Sequence, residues 1–97
     1  MQQSKLIDLW KIEEVRRYLA KRFPGGRFDD YPRGAGTAHL FVVTVSPIGQ
    51  RQARHNLVVT RQFFDRFTDH SSLKNALDSG DVGRSLERAG ERSVELY

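Results

Sequence analysis

Between Ala38 and Thr60 the chain reads AHLFVVTVSPIGQRQARHNLVVT, two runs rich in β-branched residues around Ser46-Pro47-Ile48-Gly49-Gln50. Val, Ile and Thr have few χ1 options and pack well on a pleated surface, so each run favours a strand. The turn-forming break between them predicts a long hairpin with its turn centred near Pro47. Alternation puts His39, Phe41, Val43 and Val45 on one face of the first strand, and Leu40, Val42 and Thr44 on the other. Both faces are largely apolar. Such a strand is covered on both sides, or covered on one side and paired with a second subunit on the other. A single sheet with helices on one side only would leave Leu40, Val42 and Val58 as a candidate interface. In the second strand Arg51, Ala53, His55, Leu57 and Val59 alternate with Gln52, Arg54, Asn56, Val58 and Thr60. Its half nearest the turn is polar and basic on both faces, so its Arg-bearing end projects beyond the core.

Ahead of the hairpin, Leu9, Ile12, Val15 or Arg16, Leu19 and Phe23 recur at three- and four-residue steps, the spacing of one buried helical face. Ser4 and Asp8 are candidate N-caps, Glu13 and Arg17 a candidate i,i+4 pair, and Pro24-Gly25-Gly26 an abrupt stop. Arg16, Arg17, Lys21 and Arg22 crowd the last turns. They read first as a solvated face that complements the negative end of the helix dipole, with contact to a phosphate backbone as the alternative. A short strand is expected over 27–31 with Phe28 inward. Asp29 and Asp30 would then point to opposite faces, so they read as the start of an Asp-Asp-Tyr-Pro turn and not as a shared metal or acid–base site. The stretch 32–37, PRGAGT, is a loop. It lacks the spacing of a dinucleotide or Walker phosphate loop and precedes a strand where those motifs open a helix.

After the hairpin, Thr60 is a candidate N-cap of a helix whose Phe63 and Phe67 face the core. A stacking platform for bases is the competing reading of those phenylalanines. The stretch 68–72 offers caps for a short helix carrying Leu73, Ala76 and Leu77. Asp81 then caps a last helix with Val82, Leu86 and Ala89, closed by Gly90. Val94 and Leu96 alternate as a final strand. The expected architecture is a single α+β domain over residues 1–97 in the order α-β-β-β-α-α-α-β, a long N-terminal helix packed on a mostly antiparallel sheet of three or four strands. The element order of its first half resembles that of double-stranded-RNA-binding domains. The resemblance is one of order alone, since their loop motifs are missing here, and it implies nothing about function.

No catalytic, metal or cofactor motif selects an activity. Cysteine is absent, which removes disulfides and thiolate chemistry and suits a reducing compartment. No apolar run reaches the ~20 residues of a membrane span, and charges interrupt any signal-like segment near the N-terminus. A cytoplasmic, non-enzymatic protein is the expectation. His39 and His55 would lie opposite each other if the turn is centred near Pro47, but a one-residue shift in register separates them. With no Cys and no helical His pair, no metal site is expected, and His70 sits among capping residues. Ser46 and Ser79 lie in turns without a nucleophile elbow.

Charge is more informative. The net charge of +4 divides into +3 over residues 1–33, +3 over 34–67 and −2 over 68–97. No acidic residue occurs between Asp30 and Asp65, a window that holds Arg33, Arg51, Arg54 and Arg61. Arginine outnumbers lysine twelve to four, and its planar fork suits bidentate phosphate contacts. Strands disfavour acids in any case. Even so, an Arg-bearing hairpin is a candidate contact for DNA or RNA, with Arg33, Arg51, Arg54, Arg61, Arg17 and Lys21 as candidate phosphate-binding residues. No RNP aromatic motif, KH-type loop or zinc finger accompanies it. The alternative is a homodimer associating through the sheet at Leu40, Val42 and Val58, with the basic and acidic parts complementing each other across subunits.

Overall fold

The computed structural model describes residues 7–46, 49 and 51–97. Ser4, and Pro47, Ile48 and Gln50 of the turn, lie outside them. The order is α1 (Leu9–Arg22), β1 (Arg27–Arg33), β2 (Ala38–Val45), β3 (Ala53–Thr60), α2 (Arg61–Phe64), α3 (His70–Ser79), α4 (Val82–Ala89) and β4 (Ser93–Leu96), as the sequence leads one to expect. The strands form one sheet in the order β1-β2-β3-β4. Its first two pairings are antiparallel and β3–β4 is parallel.

A parallel neighbour requires a crossover, and α2, α3 and α4 supply it. Those helices and α1 share one side of the sheet. Ile12, Val15 and Leu19 of α1 meet Leu73, Leu77, Val82 and Leu86 of the crossover over Phe41, Val43, Leu57 and Val59. Every strand residue in that core is odd-numbered in β2 or β3. None of the described helices therefore covers the even-numbered face.

The helix ends are made locally. Thr60 accepts from the Phe63 amide and Asp69 from the Ser72 amide, as N-caps should. Bonding to Ser72 holds the Asp69 carboxyl below its usual range. Asp8 and Asp81 stand at N-cap positions without a side-chain cap bond, and Asp81 is left-handed at φ 49°. Past α1, Phe23 hands the chain to Gly25 at φ +80°, a conformation that a side chain would strain.

Several expectations need correction. Asp29 and Asp30 do not begin a turn, because β1 runs on through Pro32 to Arg33 as an edge strand, where a missing amide donor is tolerated. Their side chains do face opposite sides. Val45 pairs with Ala53, which centres the hairpin on Gly49 and not Pro47. Leu9 is 62 % exposed, while Lys11 and Glu14 are buried. The buried stripe of α1 is turned toward α3, and Lys11 reaches the C-terminal end of α2, its Nζ donating to the Phe64 carbonyl at 2.8 Å. Helix α2 is a single turn in which Phe64 is the buried ring. Phe63 and Phe67 pack on each other at 5.1 Å, half-buried at the core margin. Glu13 is not the partner of Arg17, whose Nη1 donates to Glu14 at 3.0 Å.

Candidate functional site

The even-numbered face is a ladder of cross-strand rows. Tyr31, Leu40, Val58 and Glu95 form one row, and Asp29, Val42, Asn56 and Ser93 the next. Arg33, Ala38 and Thr60 close one end, and Arg27, Thr44 and Arg54 the other. Strands ~4.8 Å apart set the Cα atoms of Arg27 and Arg54 roughly 10 Å from each other across Thr44. Arg33 lies three side-chain repeats, roughly 20 Å, along β1 from Arg27. The face thus has cations at both ends and an apolar middle with Tyr31 standing 54 % exposed at its edge. Beside Arg54, the side chains of Thr44, Gln52, Asn56 and Glu91 line a shallow hollow of about 290 Å³. No ion pair among the described residues engages Arg27, Arg33, Arg51 or Arg54.

The six cations singled out by sequence fall in three places. Arg51 and Arg54 are at the hairpin end, joined by Arg27, which the acid-free window missed because Arg27 precedes Asp30, where that window opens. Arg33 marks the opposite end. Arg61 is beside it but is occupied: its Nη2 donates to the Gly36 carbonyl at 2.8 Å and its Nε is buried without a partner. That guanidinium braces the β1–β2 loop, where Gly34, Ala35 and Gly36 all have positive φ. Arg17 and Lys21 lie on the far side of the molecule, between α1 and α3. The acid-free window is also less so in space, since pairing brings Asp29 and Glu95 onto the same face and Glu91 to its margin. Glu95 accepts from the Tyr97 hydroxyl, which pushes that hydroxyl's pKa up.

Of the three candidate interface residues, Leu40 and Val42 are half-exposed and Val58 is not. At 6 % exposure it is already covered within the chain by its neighbours in the row.

The histidines are not neighbours. His39 pairs with Val59 and His55 with Val43, a separation fixed by the register about Gly49. Both are buried on the helix side. His55 stacks on Phe23 at 5.4 Å, and its Nδ1 donates to the Gly90 carbonyl at 3.2 Å. His39 belongs to a cluster that the sequence did not reveal. Its Nε2 donates to Asp30 Oδ1 at 2.7 Å, and Arg16 grips the same carboxylate through Nε at 2.7 Å and Nη2 at 2.8 Å. The Arg16 guanidinium, with help from His39, holds the Asp30 carboxyl below the usual range, while Asp30 raises Arg16. The cluster links α1, β1 and β2, and every oxygen of the carboxylate is taken up in doing so. No group of three His, Asp or Glu side chains capable of holding a metal occurs among the described residues.

Comparison with known proteins finds no matching family model, curated protein or solved structure. No helix among the described residues is long and apolar enough to cross a membrane.

Proposed function

We propose that the chain is a non-catalytic, cytoplasmic binding module that takes single-stranded nucleic acid across the open face of its sheet. The supporting observation is the layout of that face, with Arg27 and Arg54 at one end, Arg33 at the other, and exposed Tyr31 beside Leu40 and Val42 between them. Arginine forks contact phosphate, and an exposed ring stacks on a base whatever its identity. A duplex is disfavoured because Asp29 and Glu95 flank the face on its two edge strands, where a second backbone would run. A single strand passes its bases between them and keeps its phosphates near the cationic ends.

Fluorescence anisotropy with labelled single-stranded DNA and RNA tests the reading. Binding weakens steeply as salt rises, with a slope of about −0.7 per phosphate neutralised. In the R27A/R54A double variant that slope shrinks by roughly 1 to 1.5. Tyr31→Ala weakens binding by about 1–3 kcal/mol with the slope retained. An unaltered slope in the double variant overturns the assignment, and Arg51→Ala reports how far the contact extends toward the tip.

A homodimer through the same face is the second reading, favoured by the uncovered apolar strip of Tyr31, Leu40 and Val42. It predicts twice the monomer mass in sedimentation and a monomer for Val42→Asp. A wild-type monomer at millimolar concentration overturns it.

A further inference from the structure

A second feature lies on the opposite side of the molecule and plays no part in the sheet-face reading. Helices α1 and α3 leave a groove of about 450 Å³ between them. Residues 14, 17, 18 and 21 lie on one stripe of α1, and residues 70, 71, 74 and 78 on the facing stripe of α3, so helical periodicity alone aligns the two walls. Arg17, Lys21 and Lys74 bring three cations to it. Neither lysine is engaged in an ion pair among the described residues. Glu14, the acid of the inner wall, is only 5 % exposed and already accepts from Arg17 Nη1 and from His70 Nδ1, both at 3.0 Å. His70 is held in turn against the Trp10 ring at 4.6 Å. The Tyr18 hydroxyl accepts from the Gly83 amide at 2.9 Å, which fixes the ring that lines the groove. Ser71 adds a hydroxyl and Asp78 a carboxylate at the other end.

We propose that this groove binds an organic phosphate monoester of nucleoside-monophosphate size. Lys21 and Lys74, on facing helices and without an ion pair among the described residues, suit a dianion, and Arg17, partly balanced by Glu14, adds a third cation beside them. The volume is in the range of small-molecule sites, ~300–1,000 Å³, and exceeds what a bare phosphate fills. Lysine and arginine stems with the Tyr18 ring give an apolar lining for a flat ring. Asp78 takes hydroxyl or amino donors on the ligand's body. The site is fixed before binding, because Glu14 holds Arg17 and His70 in place and Gly83 holds Tyr18.

The test is an amide NMR titration of the full chain with adenosine 5′-monophosphate and, separately, with inorganic phosphate. The nucleotide shifts amides of 14–21 and 70–78 and leaves those of β1–β3 unmoved, and it binds more tightly than inorganic phosphate. The K21A/K74A double variant changes only exposed side chains and so keeps the fold. It loses about tenfold or more in nucleotide affinity, the scale of one or two charge-assisted contacts. Shifts confined to the strands, no shift at millimolar nucleotide, equal affinity for inorganic phosphate, or undiminished affinity in the double variant each overturn the proposal. Single-stranded nucleic acid binding that persists in K21A/K74A bears only on the sheet face, so the two readings fail separately.

Discussion

The two faces of the β2–β3 hairpin start from similar chemistry and end in different surroundings. On the odd-numbered face His39, Phe41, Val43, His55, Leu57 and Val59 are all buried. On the even-numbered face Leu40, Val42 and Asn56 are half-exposed and Arg54 is open to solvent. Val42 and Val43 are the same residue type, one step apart. What separates them is the crossover: β4 pairs parallel to β3, so the chain between them must leave and return on one side, and α1 packs on that side too. The apolar pattern marks both faces as buriable, and the connection decides which one is buried.

Substitutions on the two faces should therefore diverge. Leu57→Ala, in the middle of the covered face, is expected to cost about 2–5 kcal/mol in urea denaturation, the range for a buried leucine that leaves a cavity. Val42→Ala, on the open face, is expected to cost less than about 1 kcal/mol, because little area is returned to water. Equal losses would mean that something covers the even face in solution, which is the dimer.

The Arg16–Asp30–His39 cluster ties the covered face to α1, and Asp30→Asn probes it with little change of shape. The expected loss is about 1–3 kcal/mol at neutral pH, below that of a fully buried pair because Arg16 is partly in water. The folded-state pKa of Asp30 is depressed below its unfolded value. The stabilisation is thus fully present above the ordinary carboxylate range and is lost as pH falls through the folded-state value. Urea midpoints measured from neutral to acidic pH should show wild type and variant converging as the pH drops. A constant gap down to the lowest pH would sink the assignment of the stabilisation to the charge.

Much of this was legible beforehand. The 3.6-residue spacing of Ile12, Val15 and Leu19 with the Pro24-Gly25-Gly26 stop located α1, the β-branched runs located β2 and β3, and Val94 with Leu96 located β4. Thr60 and Asp69 acted as caps because capping is decided within three residues of chain. Whatever depended on register was not legible. The turn lacks the two-residue Asn-Gly type of signal that fixes a register, so the hairpin's centre, and with it the separation of His39 and His55, was open. Asp30 is 14 residues from Arg16 and 9 from His39, and no local pattern links them. The acid-free window misled in the same way. It is a property of the chain, whereas a ligand meets the sheet, where β1 contributes Arg27 and Asp29.

Gly83 offers a smaller test of the covered side. A Cβ there would run into the Arg22 side chain, which lies over Gly83 and pairs with Glu87 at 2.5 Å. Gly83→Ala has to displace the Arg22 stem and is expected to cost about 1 kcal/mol, offset in part by the better helix propensity of alanine. Arg22→Ala in the same background should remove the penalty, since the obstruction is that side chain. A double variant as unstable as Gly83→Ala alone would place the strain elsewhere.

The smallest expected effect on stability separates the faces most sharply. Arg27 and Arg54 have no ion-pair partner among the described residues, and both are exposed. The R27A/R54A variant should therefore unfold within about 0.5 kcal/mol of wild type. If the two arginines contributed to the fold, their removal would lower the urea midpoint and any change in binding would be ambiguous. With the midpoint unmoved, a reduced salt slope for single-stranded nucleic acid can only report lost phosphate contacts. The covered face would then carry the stability of the hairpin and the open face its binding. A lowered midpoint with an unchanged slope would reverse that division and make the arginines of the open face structural.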